Sequence, residues 1–278
     1  MRDPVGLVVA HGSRDPRHAA TVHALTTLAR TLRPGLRIET AFLALGTPSV
    51  PRVLERLASE GVREVVVVPL LLTRAFHSES DLPAALRRAP PALRVVQADV
   101  LGPSPLLLTA LQRRLEEAGL GPGGPPSTGL VLASAGSTAP EASAVIADVT
   151  RELRQTGWCA VRPAFASGPL PRTADVVRAL RADGVHRVAV APYMIAPGRL
   201  ADRVLLGARE AGAEVVAPVL GAAPELARLL VDRWEAGATG HAEAGRPTEA
   251  DGRGEAARTP AGAPISPSSG GRHPGVFA

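Results

Sequence analysis

The chain carries nearly the same sequence twice, and this duplication limits the folds that are open to it. Three segments recur in the same order at an interval of about 120 residues, which predicts two similar domains rather than a solenoid of short repeats. The matched pairs are LVVAHGSRDP (7–16) with LVLASAGSTAP (130–140), GVREVVVVPLLLTRAFHSESDLP (61–83) with GVHRVAVAPYMIAPGRLADRV (184–204), and VLGPSPLL (100–107) with VLGAAPEL (219–226).

The duplication divides the 278 residues into two domains, a linker and a tail. We predict a first domain over 1–118, a proline- and glycine-rich linker over 119–128 and a second domain over 129–237. Each domain has the usual size of a unit that buries its own core. Residues 238–278 contain almost no large apolar side chains, so we predict a disordered tail there.

Short apolar runs alternate with amphipathic stretches in the first domain. Runs of valine and leucine without polar alternation are typical of parallel strands that are buried on both faces. The predicted strands cover 6–10, 38–45, 64–72 and 93–101, and the predicted helices cover about 16–31, 49–60, 79–88 and 104–118. The sequence therefore predicts an α/β fold of two tandem duplicated domains, each an open parallel sheet with helices on both faces.

Two histidines of the first copy have no counterpart in the second. Aligning the copies sets His11 against Ala135 and His77 against Leu200. Both histidines follow predicted strands, and ligands of open α/β sheets bind at the carboxyl edge of the strands. We therefore expect the two imidazoles to converge on one small target and the chemistry to belong mainly to the first domain.

The segments around these histidines also serve as helix starts. Gly12 and Ser13 recur as glycine and serine in the second copy, so the turn itself accounts for them, and Asp15 is placed to cap the next helix. Glu79 and Asp81 fit a helix start as well, with a hydrogen bond to the His77 imidazole as the alternative role. His11 is the residue that the turn does not need.

The other histidines give no recognisable metal-binding pair. We expect His18 and His23 to be exposed or at the flank of the first helix, while His186 precedes a strand of the second domain and His241 and His273 lie in the tail. The sequence also lacks the phosphate-binding loop, dinucleotide fingerprint and nucleophile-elbow motifs, which argues against nucleotide hydrolysis, dinucleotide redox chemistry and a hydrolase triad.

The amino-acid composition limits the kinds of partner that the protein is expected to bind. All 31 basic residues are arginine, scattered rather than clustered, and aromatic residues make up 3% of the chain, so an acidic small molecule fits better than nucleic acid. No apolar run is long enough for a membrane span, and no signal peptide is evident, which predicts a cytoplasmic protein without a membrane partner. The single cysteine, Cys159, excludes an internal disulfide and a cysteine-rich metal site.

Several motifs of the chain resemble those of a known family. AHGS after the first strand, AFLALGTPSVP after the second, and VVVVPLLL followed by a histidine and DLP are similar to the CbiX/SirB group of sirohydrochlorin chelatases. These enzymes are relatives of class II cobaltochelatases and of protoporphyrin ferrochelatase. The resemblance covers residues 4–237 and implies two chelatase-type domains that hold a tetrapyrrole between them.

The resemblance implies a site in which His11 and His77 are both catalytic and metal-binding. It implies no permanently bound cofactor, because the divalent ion, Fe²⁺ or Co²⁺, is a substrate. Sirohydrochlorin carries eight carboxyl groups, so we expect substrate contacts from Ser13, Arg14, Arg74, Arg199 and Arg203. The chain departs from the family where the second strand often ends in AFLE, since Ala44 replaces the glutamate. A carboxylate would then come from Asp15, Glu79, Asp81 or the substrate.

The sequence thus predicts a sirohydrochlorin chelatase, with iron insertion for siroheme ahead of cobalt insertion for cobalamin. A non-catalytic carrier of tetrapyrrole or metal is the alternative from another class, because such a protein would keep the cleft after losing turnover along with the carboxylate at Ala44. A regulatory or partner protein of sulfur assimilation is a third alternative. The sequence leaves the oligomeric state open.

Overall fold

The computed structural model describes residues 3–74, 80–121, 127–168 and 170–244. Strands and helices alternate through both halves of the chain. The first half contains β1 (Val5–Ala10), α1 (Pro16–Leu32), β2 (Ile38–Phe42), α2 (Val50–Ser59), β3 (Glu64–Pro69), α3 (Leu82–Leu86), β4 (Arg94–Gln97) and α4 (Pro105–Glu117). The second half contains β5 (Thr128–Ser134), α5 (Pro140–Arg154), β6 (Ala160–Phe165), α6 (Thr173–Ala182), β7 (Arg187–Tyr193), α7 (Arg199–Glu210), β8 (Val215–Val216) and α8 (Pro224–Ala244).

Each half forms one parallel sheet with the same strand order. The order is β2-β1-β3-β4 in the first half and β6-β5-β7-β8 in the second. The central strands β1, β3, β5 and β7 are buried almost throughout, as their runs of valine, leucine and alanine predict. The predicted α/β fold of two tandem parallel sheets is confirmed.

Helices cover both faces of both sheets. On the outer face of the first sheet, α2 and α3 pack against β1, β2 and β3, and on the outer face of the second sheet α6 and α7 pack against β5 and β7. The inner faces of the two sheets share one continuous apolar core, which contains residues of α1, α4, α5 and α8. This core joins the halves, so the apolar residues of the two inner faces are buried together.

The last helix of each half packs on the sheet of the other half. Helix α4, from the first half, contacts β7, while α8, at the end of the second half, contacts α1, β3 and β4. Arg113 of α4 and Glu225 of α8 form an ion pair of 2.7 Å between Nη2 and Oε1. The expectation of two self-contained cores therefore differs from the structure, because a helix from the other half packs on each sheet.

Helix α8 continues to Ala244, seven residues beyond the predicted end of the second domain at Gly237. The segment after Gly237 is rich in alanine, the strongest helix former, so it prolongs the helix without large apolar side chains. The remainder of the predicted tail lies outside the described residues. Within the part of the chain that the structure describes, no helix is both long and apolar enough to cross a membrane.

Candidate active site

A cleft of about 790 Å³ lies where the carboxyl ends of the two parallel sheets meet. One wall comes from residues that follow β1 and β3 of the first half. The facing wall comes from residues that follow β5 and β7 and from the first turns of α5 and α7. Parallel α/β sheets bind ligands at this edge, and the volume falls within the range of small-molecule sites.

His11 lines the cleft directly after β1 and is half-buried. The backbone fixes its position, because the Ala44 N–H donates a hydrogen bond of 2.9 Å to the His11 carbonyl oxygen. The following residue, Gly12, has φ 95°, and a Cβ there would lie 1.8 Å from the Ala44 carbonyl oxygen. The close contact with the chain after β2 therefore requires glycine beside the histidine.

The second half builds the same turn without the histidine. Ala135 takes the place of His11, and its carbonyl oxygen accepts a hydrogen bond of 3.0 Å from the Ser167 N–H. A Cβ on Gly136 would lie 1.9 Å from the Ser167 carbonyl oxygen, almost as for Gly12. The turn therefore forms equally well with alanine, and its geometry does not depend on the imidazole of His11.

Ser13 and Asp15 line the cleft and also hold the start of α1. The Ser13 hydroxyl accepts a hydrogen bond of 3.1 Å from the Asp15 N–H, and Ser137 accepts the equivalent bond in the second half. Asp15 is the N-cap residue of α1, as predicted, and accepts from the Arg17 N–H. Hydrogen bonds from Arg17 lower the pKa of the Asp15 carboxyl, so this candidate carboxylate is ionised and already paired.

His18 is a second imidazole in the cleft, where we had expected an exposed or flanking residue. It lies in the first turn of α1 and is half-buried against Phe42, with 6.3 Å between the ring centroids. Burial lowers the pKa of His18, and a charge on His11 lowers it further, whereas Asp15 opposes both effects. Its imidazole is therefore neutral near pH 7.

Two of the four predicted arginines reach the cleft. Arg14 follows β1 and Arg199 begins α7, so the pair brings one guanidinium from each half, and both are exposed. Neither forms an ion pair with any residue that the structure describes. The other two lie outside the cleft lining, since Arg74 pairs with Asp99 at 2.5 Å and Arg203 donates to the Ala166 carbonyl oxygen at 2.8 Å.

The other predicted ligand, His77, falls outside the described residues, as does Glu79. Among the residues that the structure does describe, no group of three or more histidine, cysteine, aspartate or glutamate side chains is arranged to hold a metal ion. The described part of the cleft therefore offers two imidazoles, His11 and His18, and two unpaired guanidinium groups.

The fold and the cleft define a class of protein: two parallel α/β halves that enclose a cleft, with the imidazoles of its described lining on one half. Within that class, the CbiX family model matches residues 5–118 and 129–236. The chain belongs to the CbiX family.

Curated relatives agree with this family. The chain is 27% identical over 245 residues to sirohydrochlorin cobaltochelatase of Priestia megaterium, a match that covers 84% of this chain and 80% of the relative. It is 24% identical over 204 residues to sirohydrochlorin ferrochelatase of Bacillus subtilis, covering 71% of this chain and 76% of the relative.

Solved structures show the same fold. SirB from Bacillus subtilis with Fe³⁺ superposes with a TM-score of 0.75 at 22% identity, covering 87% of this chain and 98% of SirB. CbiX, described as the terminal enzyme for biosynthesis of siroheme in denitrifying bacteria, superposes with a TM-score of 0.64 at 21% identity over 84% of this chain and 98% of that protein. Each solved structure thus has the same two-half architecture along almost its whole length.

Proposed function

We propose that the protein is a sirohydrochlorin chelatase that inserts Fe²⁺ or Co²⁺ into the tetrapyrrole within the cleft between its halves. The observation that carries the proposal is the position of His11. It stands at the carboxyl end of a central strand, in a cleft of suitable size, and the second half forms the same turn with Ala135. The turn therefore does not require the imidazole, which favours a chemical role for it.

The residue types fit the reaction. Insertion of a divalent ion removes two protons from pyrrole nitrogens and exchanges the water ligands of the ion for ring nitrogens. Neutral imidazoles bind such ions and accept protons near pH 7. We propose that His11 and His77 both do so, because a site with few protein ligands releases the ion to the ring more readily than a closed site with four.

The carboxylates of the substrate are expected to pair with cationic side chains, and two arginines line the cleft. We propose that Arg14 and Arg199 bind carboxylates of the macrocycle from opposite walls, since each guanidinium presents a planar set of donors that matches a carboxylate. Arg74 and Arg203 are weaker candidates, because Arg74 is paired with Asp99 and Arg203 with a backbone carbonyl. The Ser13 hydroxyl lies beside Arg14 in the same cleft and is a further candidate contact.

Anaerobic incubation of the full chain with sirohydrochlorin and either Fe²⁺ or Co²⁺ tests the proposal, with absorbance reporting the metallated ring. We expect insertion to be faster than in the same mixture without protein, for at least one of the two ions. Tight binding of sirohydrochlorin without acceleration by either ion would contradict the proposal and favour the carrier.

The shared role of His11 and His77 has its own test. Calorimetric titration of Co²⁺ into the wild type, His11→Ala, His77→Ala and the double variant should give similar large losses for the two single changes. The double change should then add little, because ligands of one ion act non-additively. Independent, additive losses would show that the two histidines serve different sites.

A further inference from the structure

His18 occupies the inward-facing end of α1. Val22 and Leu25, which follow it at helical spacing, are fully buried in the core between the sheets. His18 continues this row to the edge of the sheet, where the cleft opens. A polar ring therefore stands at the one position of the row that faces the cleft.

The second half keeps this helix start but not the imidazole. Counting from the shared proline, Pro16 in α1 and Pro140 in α5, His18 corresponds to Ala142. Ala142 also lines the cleft and is buried. The fold thus accepts alanine at the matched position, so packing at the start of the helix does not account for His18.

The ring of His18 is oriented by its surroundings. Its Nδ1 atom is buried and neither donates nor accepts a hydrogen bond within the described parts of the chain. The ring packs against the buried side chain of Phe42. Because Nδ1 is enclosed and His18 as a whole is half-exposed, Nε2 is the nitrogen left to reach a ligand in the cleft.

His11 lines the same cleft as this ring. It follows β1 directly, and His18 stands in the first turn of the helix that comes next, so both imidazoles belong to the same wall of the cleft. Asp15 also lines the cleft, but its carboxylate is paired with Arg17 at 2.6 Å. This wall therefore offers two imidazoles as donors, and imidazole is a common ligand of divalent transition metals.

We propose that His18 is a further metal-binding residue of the cleft, which binds the incoming divalent ion together with His11. The described residues contain no third histidine, cysteine or carboxylate placed to complete a metal site with them. The other coordination positions are thus open to water and to the ring nitrogens. The inference rests on the proposed function only in taking the ion to be divalent iron or cobalt.

Binding of Co²⁺ alone to the full chain, without tetrapyrrole, tests this role. The variant is His18→Ala, which installs the residue of the second half. The matched control is His23→Ala, because His23 lies on the same helix and packs on the same Phe42 ring, at 6.1 Å, but is exposed and absent from the cleft lining. Calorimetry and the visible absorption of bound Co²⁺ are the two readouts.

We expect His18→Ala to weaken Co²⁺ binding at least about tenfold and to change the visible spectrum, and His23→Ala to do neither. The double change His11→Ala with His18→Ala should weaken binding little more than either change alone. Wild-type affinity in His18→Ala, or an equal loss in His23→Ala, would overturn the inference. Failure of the wild type to metallate sirohydrochlorin would contradict the proposed function and leave this result unaffected.

Discussion

The indole of Trp234, in the last helix, lies against Gly6, in the first strand. A Cβ on Gly6 would come within 3.3 Å of Trp234 Cδ1, and the tryptophan is only 4% exposed. Arg33 of the first half adds a cation–π contact, with Cζ 5.9 Å from the ring centre. Helix α8 thus completes the core of the first half.

Replacement of Trp234 by alanine should destabilise the whole protein. Loss of a buried aromatic side chain leaves a cavity between α8 and the first sheet, and the expected cost is about 3–5 kcal/mol in the free energy of unfolding. Urea unfolding measures it. Leu206→Ala is the control, since Leu206 is exposed and its loss should cost little. A small effect of Trp234→Ala would show that the first sheet does not depend on α8.

The two glycines of the cleft turns should be equally intolerant of alanine. Gly12→Ala and Gly136→Ala each place a Cβ against a backbone carbonyl oxygen, so the strand-end loop must move, and we expect each to cost at least about 3 kcal/mol. Gly157 also has a positive φ, of 93°, but nothing lies within 4 Å of its Cβ position. Gly157→Ala should cost only about 1–2 kcal/mol of backbone strain. Similar values for all three variants, measured by urea unfolding, would refute the close-approach explanation.

Stability should fall in mild acid because of His18. Burial lowers its pKa in the folded protein below the unfolded value of about 6.5. At pH values above about 6.5 the imidazole is neutral in both the folded and the unfolded chain, so its titration does not change the stability. As the pH falls below it, the unfolded chain takes up the proton first, so the folded state loses stability.

Urea unfolding of the wild type and of His18→Gln between pH 7.5 and pH 5, spanning about 6.5, measures this effect. The wild type should lose more stability over the interval than the variant, whose side chain does not titrate. Equal pH dependence of the wild type and His18→Gln would show that His18 is protonated as readily in the folded protein as in the unfolded chain.

The sequence predicts the sheets well because buried parallel strands have a strong local signature. The runs GLVVA and EVVVV lie in β1 and β3, as predicted. Helix α1 begins at Pro16, directly after its N-cap residue Asp15, where it was expected. The packing of α4 on the second sheet and of α8 on the first sheet was not predicted. An apolar helix face shows that a helix packs on something but not which sheet it covers, and here each final helix crosses to the other half.

The site was predicted only in part, because which residues reach the cleft also depends on the tertiary structure. His11 stood out because the second copy has Ala135 in its place, and the structure puts His11 in the cleft. The same comparison sets His18 against Ala142, but its position within a predicted helix led to the expectation that it is exposed or at the helix flank. The first turn of a helix that follows a parallel strand still lies at the sheet edge. Arg74 could not be distinguished from Arg14 by sequence, since its pairing with Asp99 depends on the tertiary structure.

The initial rate of Co²⁺ insertion into sirohydrochlorin by His11→Ala, under anaerobic conditions, tests the central claim most directly. His23→Ala serves as the control for loss of a histidine outside the cleft. We predict that His11→Ala lowers the rate at least about 100-fold, while its free energy of unfolding stays within about 1 kcal/mol of the wild type, because Ala135 forms the same turn in the second half. A wild-type rate of insertion in folded His11→Ala would contradict the account.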